Sequence, residues 1–250
     1  MNYQTIGVVL LAAIVLVAGA CAHAAGFAAA PEPAVPAITT TAPPFVISDH
    51  GVPVEIGIED VAAYHGSLEG EEPHACPCCA CMYRALSAGI RDLWGSEIPE
   101  RSDIGVESRL VSNGALHVAW YVTGTGPGMD PASAGTLALV APDGSVLTDY
   151  LQQARNKIAK DRRYDDYRFV ITRLSTGESV TLTLKKEVFP DSFLELRKKV
   201  KVQKTATDEE AEEFESRRSA LREDLLQKPD DELFSVTKTT GGEAPAGEGD

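Results

Sequence analysis

Residues 74–94, HACPCCACMYRALSAGIRDLW, place a cluster of cysteines directly before a predicted helix. From Ala80 to Trp94, apolar residues recur at the three- and four-residue spacing of a helix with one buried face. Gly95 is then the expected end of that helix. The cysteines therefore lie at a helix N-terminus, where the helix dipole stabilises a thiolate and favours metal binding or redox chemistry.

Apolar patterns predict the segments on either side of this helix. A short helix is expected over Ile56–Tyr64, leading into His65-Gly66, and a strand over Asp103–Val111, where apolar residues alternate. Residues 115–122 are apolar and fit a strand or a helix equally well. The glycine-rich Thr123–Gly128 follows and ends that segment.

The C-terminal half predicts a hairpin, a long helix and a last strand. Phe169–Leu174 and Ser179–Leu184 are β-rich runs joined by a four-residue turn signal. Thr207–Glu210 is a capping box that opens a charged helix, which Pro229 closes. Residues 232–237 are expected to return as a strand.

The order of these elements favours an α+β fold, with a mostly antiparallel sheet packed with helices in a single domain. Residues 149–167, rich in Arg, Lys and Asp, are expected to form an exposed helix or insertion. The chain has 23 Lys+Arg against 37 Asp+Glu, a formal net charge of −14. A basic surface for phosphate groups is absent, so nucleic acid is not an expected partner. An acidic surface mildly favours cations.

The N-terminal region predicts export. Ile6–Ala20 is an uninterrupted apolar run whose length lies between a signal-peptide core and a membrane span. Residues 1–25 are therefore expected to be a signal peptide or membrane anchor, and residues 26–50 an Ala/Pro/Thr-rich linker. Lipidation of Cys21, an uncleaved anchor and secretion remain alternatives, as does a buried helix. A membrane-tethered, extracytoplasmic domain over residues 51–240 is favoured, with a disordered tail over 241–250.

Four of the five cysteines lie within six residues, and this density points to metal binding. Thiols so close together cannot all form unstrained disulfides with one another. The usual zinc pattern also needs a second, distant cysteine pair, which is absent. A mixed site that binds zinc or another divalent transition metal through imidazole and thiolate is expected. Thiol–disulfide or electron-transfer chemistry and inert packing are the alternatives. The candidate ligands are His65, His74, Cys76, Cys78, Cys79, Cys81 and His117.

The chain resembles the formylmethanofuran dehydrogenase E-subunit-like family, whose signature runs approximately H-G-H-x-C-P-x₅-Y-R. His74-Ala75-Cys76-Pro77 followed by Tyr83-Arg84 is similar to its second part, and His65-Gly66 to its start, with Ser67–Pro73 inserted between. Thr123–Gly128 is similar to the family's T-G-C-T-x-G segment. The stretch from Ala206 to Phe234 resembles its closing helix and strand, so the resemblance covers about residues 56–240.

The resemblance implies an α+β fold, often as a homodimer, with a metal site built from the signature residues His65, His74 and Cys76. It does not imply dehydrogenase activity. The family's C-x-x-D segment falls on Gly114 and His117 here, which makes His117 a more favoured ligand. The family's cysteine in the glycine-rich segment is Thr125 here. Arg84 is a candidate for holding an anion beside the metal and Tyr83 for donating a proton; helix packing and a surface ion pair are the alternative roles.

Overall fold

A computed structural model of the chain describes residues 38, 40–147 and 157–240. The leader, nearly all of the predicted linker before residue 40 and the predicted tail over 241–250 lie outside the described residues. The charged segment at 149–167 is described only from residue 157, where a helical stretch over 157–160 precedes a 3₁₀ turn, Tyr164–Asp166. None of the described helices is both long enough and apolar enough to cross a membrane.

The described residues form a two-stranded and a five-stranded sheet. Their strands are β1 (Phe45–Asp49), β2 (Val52–Ile56), β3 (Ile104–Ser108), β4 (Thr136–Leu139), β5 (Arg168–Arg173), β6 (Glu178–Leu184) and β7 (Phe234–Thr239). In the larger sheet the order is β4-β3-β5-β6-β7, and the β3–β4 pair is parallel while its other pairs are antiparallel. The largely antiparallel sheet confirms the expected α+β class.

The helices supply the other layer. They are α1 (Ile58–Glu69), α2 (Pro77–Trp94), α3 (Asn113–Thr123), α4 (Phe193–Arg197), α5 (Asp208–Gln227) and α6 (Asp230–Leu233). Helix α2 lies at the centre of this layer, because it packs on β5 and β6 and also against α1, α3 and α5. The sequence predicts one buried face for α2, but every residue from Cys79 to Ile90 is buried.

Local signals predict several boundaries correctly. The Glu210 N–H donates to Thr207 Oγ1 (3.2 Å) and the Thr207 N–H donates to Glu210 Oε2 (3.1 Å), so the capping box is present. The ambiguous segment 115–122 is helical, since Ser112 caps α3 by accepting from the Ala115 N–H. Helix α1 continues past His65 and ends at Gly70, whose φ of 72° suits glycine.

The folded part begins before residue 51, where the sequence places the start of the domain. Strand β1 lies within the predicted linker, and its Ile47 is fully buried. The strand pairs with β2 through a turn at His50 and Gly51, which have φ of 53° and 76°. Such positive values are typical of a two-residue hairpin turn. Prolines on both sides of the turn hide this hairpin in the sequence, because proline is unusual inside strands.

Gly89 allows the close packing of α2 on the sheet. A Cβ at this position would lie 2.9 Å from Cγ1 of Ile171 on β5. Helix propensity alone favours Ala over Gly by about 1 kcal/mol. We expect Gly89→Ala nevertheless to lower the free energy of unfolding by about 1–3 kcal/mol through overpacking, as measured by urea denaturation.

The matched control is a double-mutant cycle with Ile171→Ala, which removes Cγ1 and Cδ1 of the opposing side chain. Because the smaller alanine side chain at position 171 leaves room for the new methyl group, the cost of Gly89→Ala should be smaller in that background. Equal costs in both backgrounds would show that the two side chains do not limit the approach of α2.

Candidate metal centre

Helical geometry divides the four cysteines into two pairs. Cys76 is the N-cap residue of α2, and the other three lie in its first turns. Residues three apart share a helix face, whereas residues two apart point in nearly opposite directions. Cys76 and Cys79 therefore share one face, and Cys78 and Cys81 share another.

The Cys76–Cys79 pair lies beside His65. The two Sγ atoms are 3.5 Å apart. Their ligand atoms and one nitrogen of His65 all lie within 4.8 Å of one another. His65 and Cys79 are 4% and 0% exposed, respectively, whereas Cys76 is half-buried. Two helices thus bring one imidazole and two thiols to a common point.

Helix α3 closes the site from the third side. It carries His117, which is 5% exposed and whose Nδ1 lies 2.8 Å from Nδ1 of His65. It also carries Gly114, where a Cβ would lie 2.5 Å from Cys76 Sγ and 2.9 Å from Cys79 Sγ. The absence of a side chain at Gly114 leaves the space in which the two sulfur atoms lie.

His74 lies against the same cluster. Its ring centroid is 4.6 Å from that of His65, and its Nδ1 is 3.0 Å from the Glu72 carbonyl oxygen. The chain between the histidines folds back on α1, because the Glu71 N–H donates to the carbonyl of Gly66. A Cβ at Gly66 would lie 2.7 Å from the Glu72 oxygen, so this glycine permits the fold-back. His65 is therefore flanked by His74 and His117.

The electrostatics at His65 favour a positive charge. Burial lowers the pKa of His65, but the hydrogen bond with Cys76 and the negative charges of Cys76, Glu69 and Cys78 raise it, and the net pKa is raised. The same sulfur and carboxylate groups would attract a metal cation, which must displace the proton because a ligating imidazole is neutral. The donors around His65 thus form an environment suited to a cation.

Cys78 and Cys81 belong to a different environment. Cys78 Sγ lies 3.4 Å from Nη1 of Arg162, and Nη2 of the same side chain donates to the Val111 carbonyl. The hydrogen bond with Cys76 and burial raise the pKa of Cys78 well above its usual value, although Arg162 opposes this. Cys81 is fully buried, and that burial raises its pKa well above the usual value. Within the part of the chain that the structure describes, neither thiol joins a group of potential ligands.

Tyr83 and Arg84 take the alternative roles, helix packing and an ion pair, and the ion pair of Arg84 is buried rather than at the surface. Arg84 is 3% exposed and forms an ion pair with Asp230 at 2.6 Å. It also donates to the carbonyl oxygens of Leu225 and Lys228 at the end of α5. The Tyr83 hydroxyl donates to the carbonyl of Pro43 at 3.2 Å. Both residues hold α2 in the core.

The structure adds Glu69, which the sequence does not predict as a site residue. It forms a second group of potential ligands with His65 and His117, whose atoms also lie within 4.8 Å of one another. Glu69 follows His65 by four residues on α1, so both lie on one helix face. That spacing is the signal that could have identified it. Thr125, in contrast, is exposed, and its hydroxyl lies 2.9 Å from that of Thr123.

The donor set fits a zinc-like ion. Thiolate and imidazole are the common zinc ligands, and two thiolates on tetrahedral zinc lie about 3.8 Å apart, given Zn–S bonds of about 2.3 Å. The observed separation of 3.5 Å between Cys76 and Cys79 is close to that value. The two sulfur atoms fill the space that Gly114 leaves, on the same side as the His65 ring, so the three donors face a common point.

The fold and the site together define an α+β domain with a buried His/Cys cluster that is compatible with metal binding. The chain belongs to the family described as "FmdE, Molybdenum formylmethanofuran dehydrogenase operon", whose pattern matches residues 73–235. The match confirms the resemblance seen in the sequence. The matched residues include His74, Cys76, Cys79 and His117, whereas His65 lies before the matched range. A search of curated proteins found no match.

Proposed function

We propose that this domain binds one zinc or other divalent transition-metal ion through His65, Cys76 and Cys79. The observation that carries this proposal is the convergence of these three side chains from α1 and α2 within 4.8 Å. Two thiolates and an imidazole select zinc and the later transition metals over magnesium or calcium. A flanking imidazole, from His74 or His117, or a water molecule would complete the coordination.

Metal binding, rather than a reaction, is the function proposed. Tyr83 and Arg84, the side chains that could have served chemistry at the metal, are held by Pro43 and Asp230. A bound ion would connect α1 to α2 and would neutralise the negative charge of two buried thiolates. A carrier, a sensor or a structural metal site is consistent with this arrangement.

Mutation of the two cysteine pairs tests the ligand set. We expect the purified full chain to carry about one transition-metal ion, as measured by elemental analysis. Cys76→Ser and Cys79→Ser should each lose at least about 90% of it, because zinc sites of this kind depend on every thiolate. Cys78→Ser and Cys81→Ser are matched controls and should retain the metal, since their thiols face Arg162 and the core.

His65→Ala should lose the metal as completely as Cys76→Ser. Binding of the metal by the Cys76→Ser and Cys79→Ser variants with the affinity of the wild-type chain, or absence of metal from the reconstituted wild-type chain, would refute the proposed site.

Thiol–disulfide exchange is the second candidate function. Cys76 and Cys79 form a C-x-x-C pair across the first turn of α2, with their sulfur atoms 3.5 Å apart. In this reaction both thiols would be oxidised to a disulfide while a disulfide of a partner protein is reduced to two thiols. The histidines argue for metal binding instead, because thiol exchange does not require three imidazoles. Thiol counting on the metal-analysis sample separates the two, since exchange predicts a loss of two free thiols without metal.

We also propose a location and an assembly for the domain. The apolar run Ile6–Ala20 and the Pro/Thr-rich residues after it support a domain held outside the cytoplasm at a membrane. Family resemblance supports a homodimer. Both are inferences from sequence.

Fractionation of the native cells tests the tether. The full chain should sediment with membranes. Protease should also degrade it when added to intact cells stripped of their cell wall or outer membrane. Cys21→Ser should release it if Cys21 carries the lipid, and should leave it bound if Ile6–Ala20 is the anchor. Recovery of wild-type protein in the protease-resistant cytoplasmic fraction would contradict the proposed location.

A further inference from the structure

Glu69 and His117 form a second set of donors that shares His65 with the thiols. The three ligand atoms lie within 4.8 Å of one another, as do those of His65, Cys76 and Cys79. Two nitrogens and a carboxylate oxygen are a recognised ligand set for zinc, cobalt and nickel. The shared imidazole means that a single ion could move between the two sets without leaving the site.

The side chains of the second set are oriented by α3. Asn113 donates to Oε1 of Glu69 at 2.7 Å, and this same oxygen is 3.8 Å from Nδ1 of His117. The His117 ring stacks on Trp120, with centroids 5.4 Å apart and planes within 13°. Because these ligand side chains are already held in position, they lose less conformational entropy when an ion binds.

The most accessible donor differs between the two sets. Each set has two buried donors and one that solvent reaches: Cys76 is half-buried, whereas Glu69 is exposed, with 29% of its side chain accessible. Glu69 is also the last residue of α1. At Gly70, directly after it, the segment inserted between His65 and His74 turns back toward the helix. An ion that approaches from solvent therefore meets the carboxylate before it meets the second thiol.

We propose that His65, Glu69 and His117 form an outer position for a divalent transition-metal ion, from which the ion passes to the thiolate position. This inference rests on the proposed function, because His65 serves both positions. One shared imidazole makes the two positions alternatives, so the wild-type chain binds one ion. The outer position has one nitrogen and one oxygen in place of two sulfurs, and it therefore binds more weakly and exchanges faster.

Cobalt(II) titration of the full chain separates the two positions. The wild-type chain should bind one Co²⁺ with the intense thiolate-to-cobalt absorption of a sulfur site. In the double variant Cys76→Ser/Cys79→Ser, calorimetry should still detect one Co²⁺ per chain, bound at least about tenfold more weakly and without that absorption.

Glu69→Gln in the double-variant background should abolish the remaining binding. Glu72→Gln is the matched control: it removes one carboxylate from the same segment, and Glu72 belongs to neither ligand set. Circular dichroism checks that each variant is folded. Loss of all Co²⁺ binding in the folded double variant, or equal binding by the Glu69→Gln and Glu72→Gln forms, would overturn the outer position.

A kinetic measurement provides the same test with both cysteines intact. In stopped-flow experiments, Glu69→Gln should slow the appearance of the thiolate-to-cobalt absorption by about tenfold or more, and Glu72→Gln should not. Equal rates would overturn the outer position while leaving the thiolate position established. Absence of the absorption from the wild-type chain would instead refute the proposed function.

Discussion

The close approach of α3 to the first turn of α2 is the constraint on which the site depends. It is possible because Gly114 has no side chain: a single methyl group there would lie 2.5 Å from Cys76 Sγ and 2.9 Å from Cys79 Sγ. The same approach brings His117 of α3 to His65 of α1, with the Nδ1 atoms 2.8 Å apart. One glycine therefore allows three helices to place their donors at one point.

The core supports this arrangement from behind. Helix α2 is buried from Cys79 to Ile90, and Arg84 fixes it to the end of α5 through Asp230 and two carbonyl oxygens. Breaking a buried ion pair on one side costs about 3–5 kcal/mol. The thiols of the first turn are consequently held on a rigid element, as a selective metal site requires. Cys78 lies beside Arg162 and joins neither group of potential ligands among the described residues.

Much of this organisation could be predicted from local sequence patterns. The capping box at Thr207, the β5–β6 hairpin and helix α2 depend on neighbouring residues, and the structure confirms them. The hairpin β1–β2 was missed because Pro53 and the prolines before β1 resemble a linker. The role of Arg84 could not be predicted, because its partner lies 146 residues away in the sequence.

The candidate site, too, could be predicted only in part from local sequence patterns. The family signature and ligand chemistry point to His65, His74 and Cys76 as candidates. The seven expected ligands also include Cys78 and Cys81, which join neither group of potential ligands in the described part of the chain. Helical periodicity alone separates Cys76 and Cys79 from Cys78 and Cys81, once α2 is known to begin at Pro77. Glu69 was missed because its four-residue spacing from His65 does not distinguish it from the other carboxylates of a chain of net charge −14 until His117 lies beside it.

X-ray absorption spectroscopy of the zinc-loaded full chain tests the thiolate–imidazole site most directly. We predict two sulfur ligands at about 2.3 Å with nitrogen ligands at about 2.0 Å; a first shell with four sulfurs, or with none, would contradict this site.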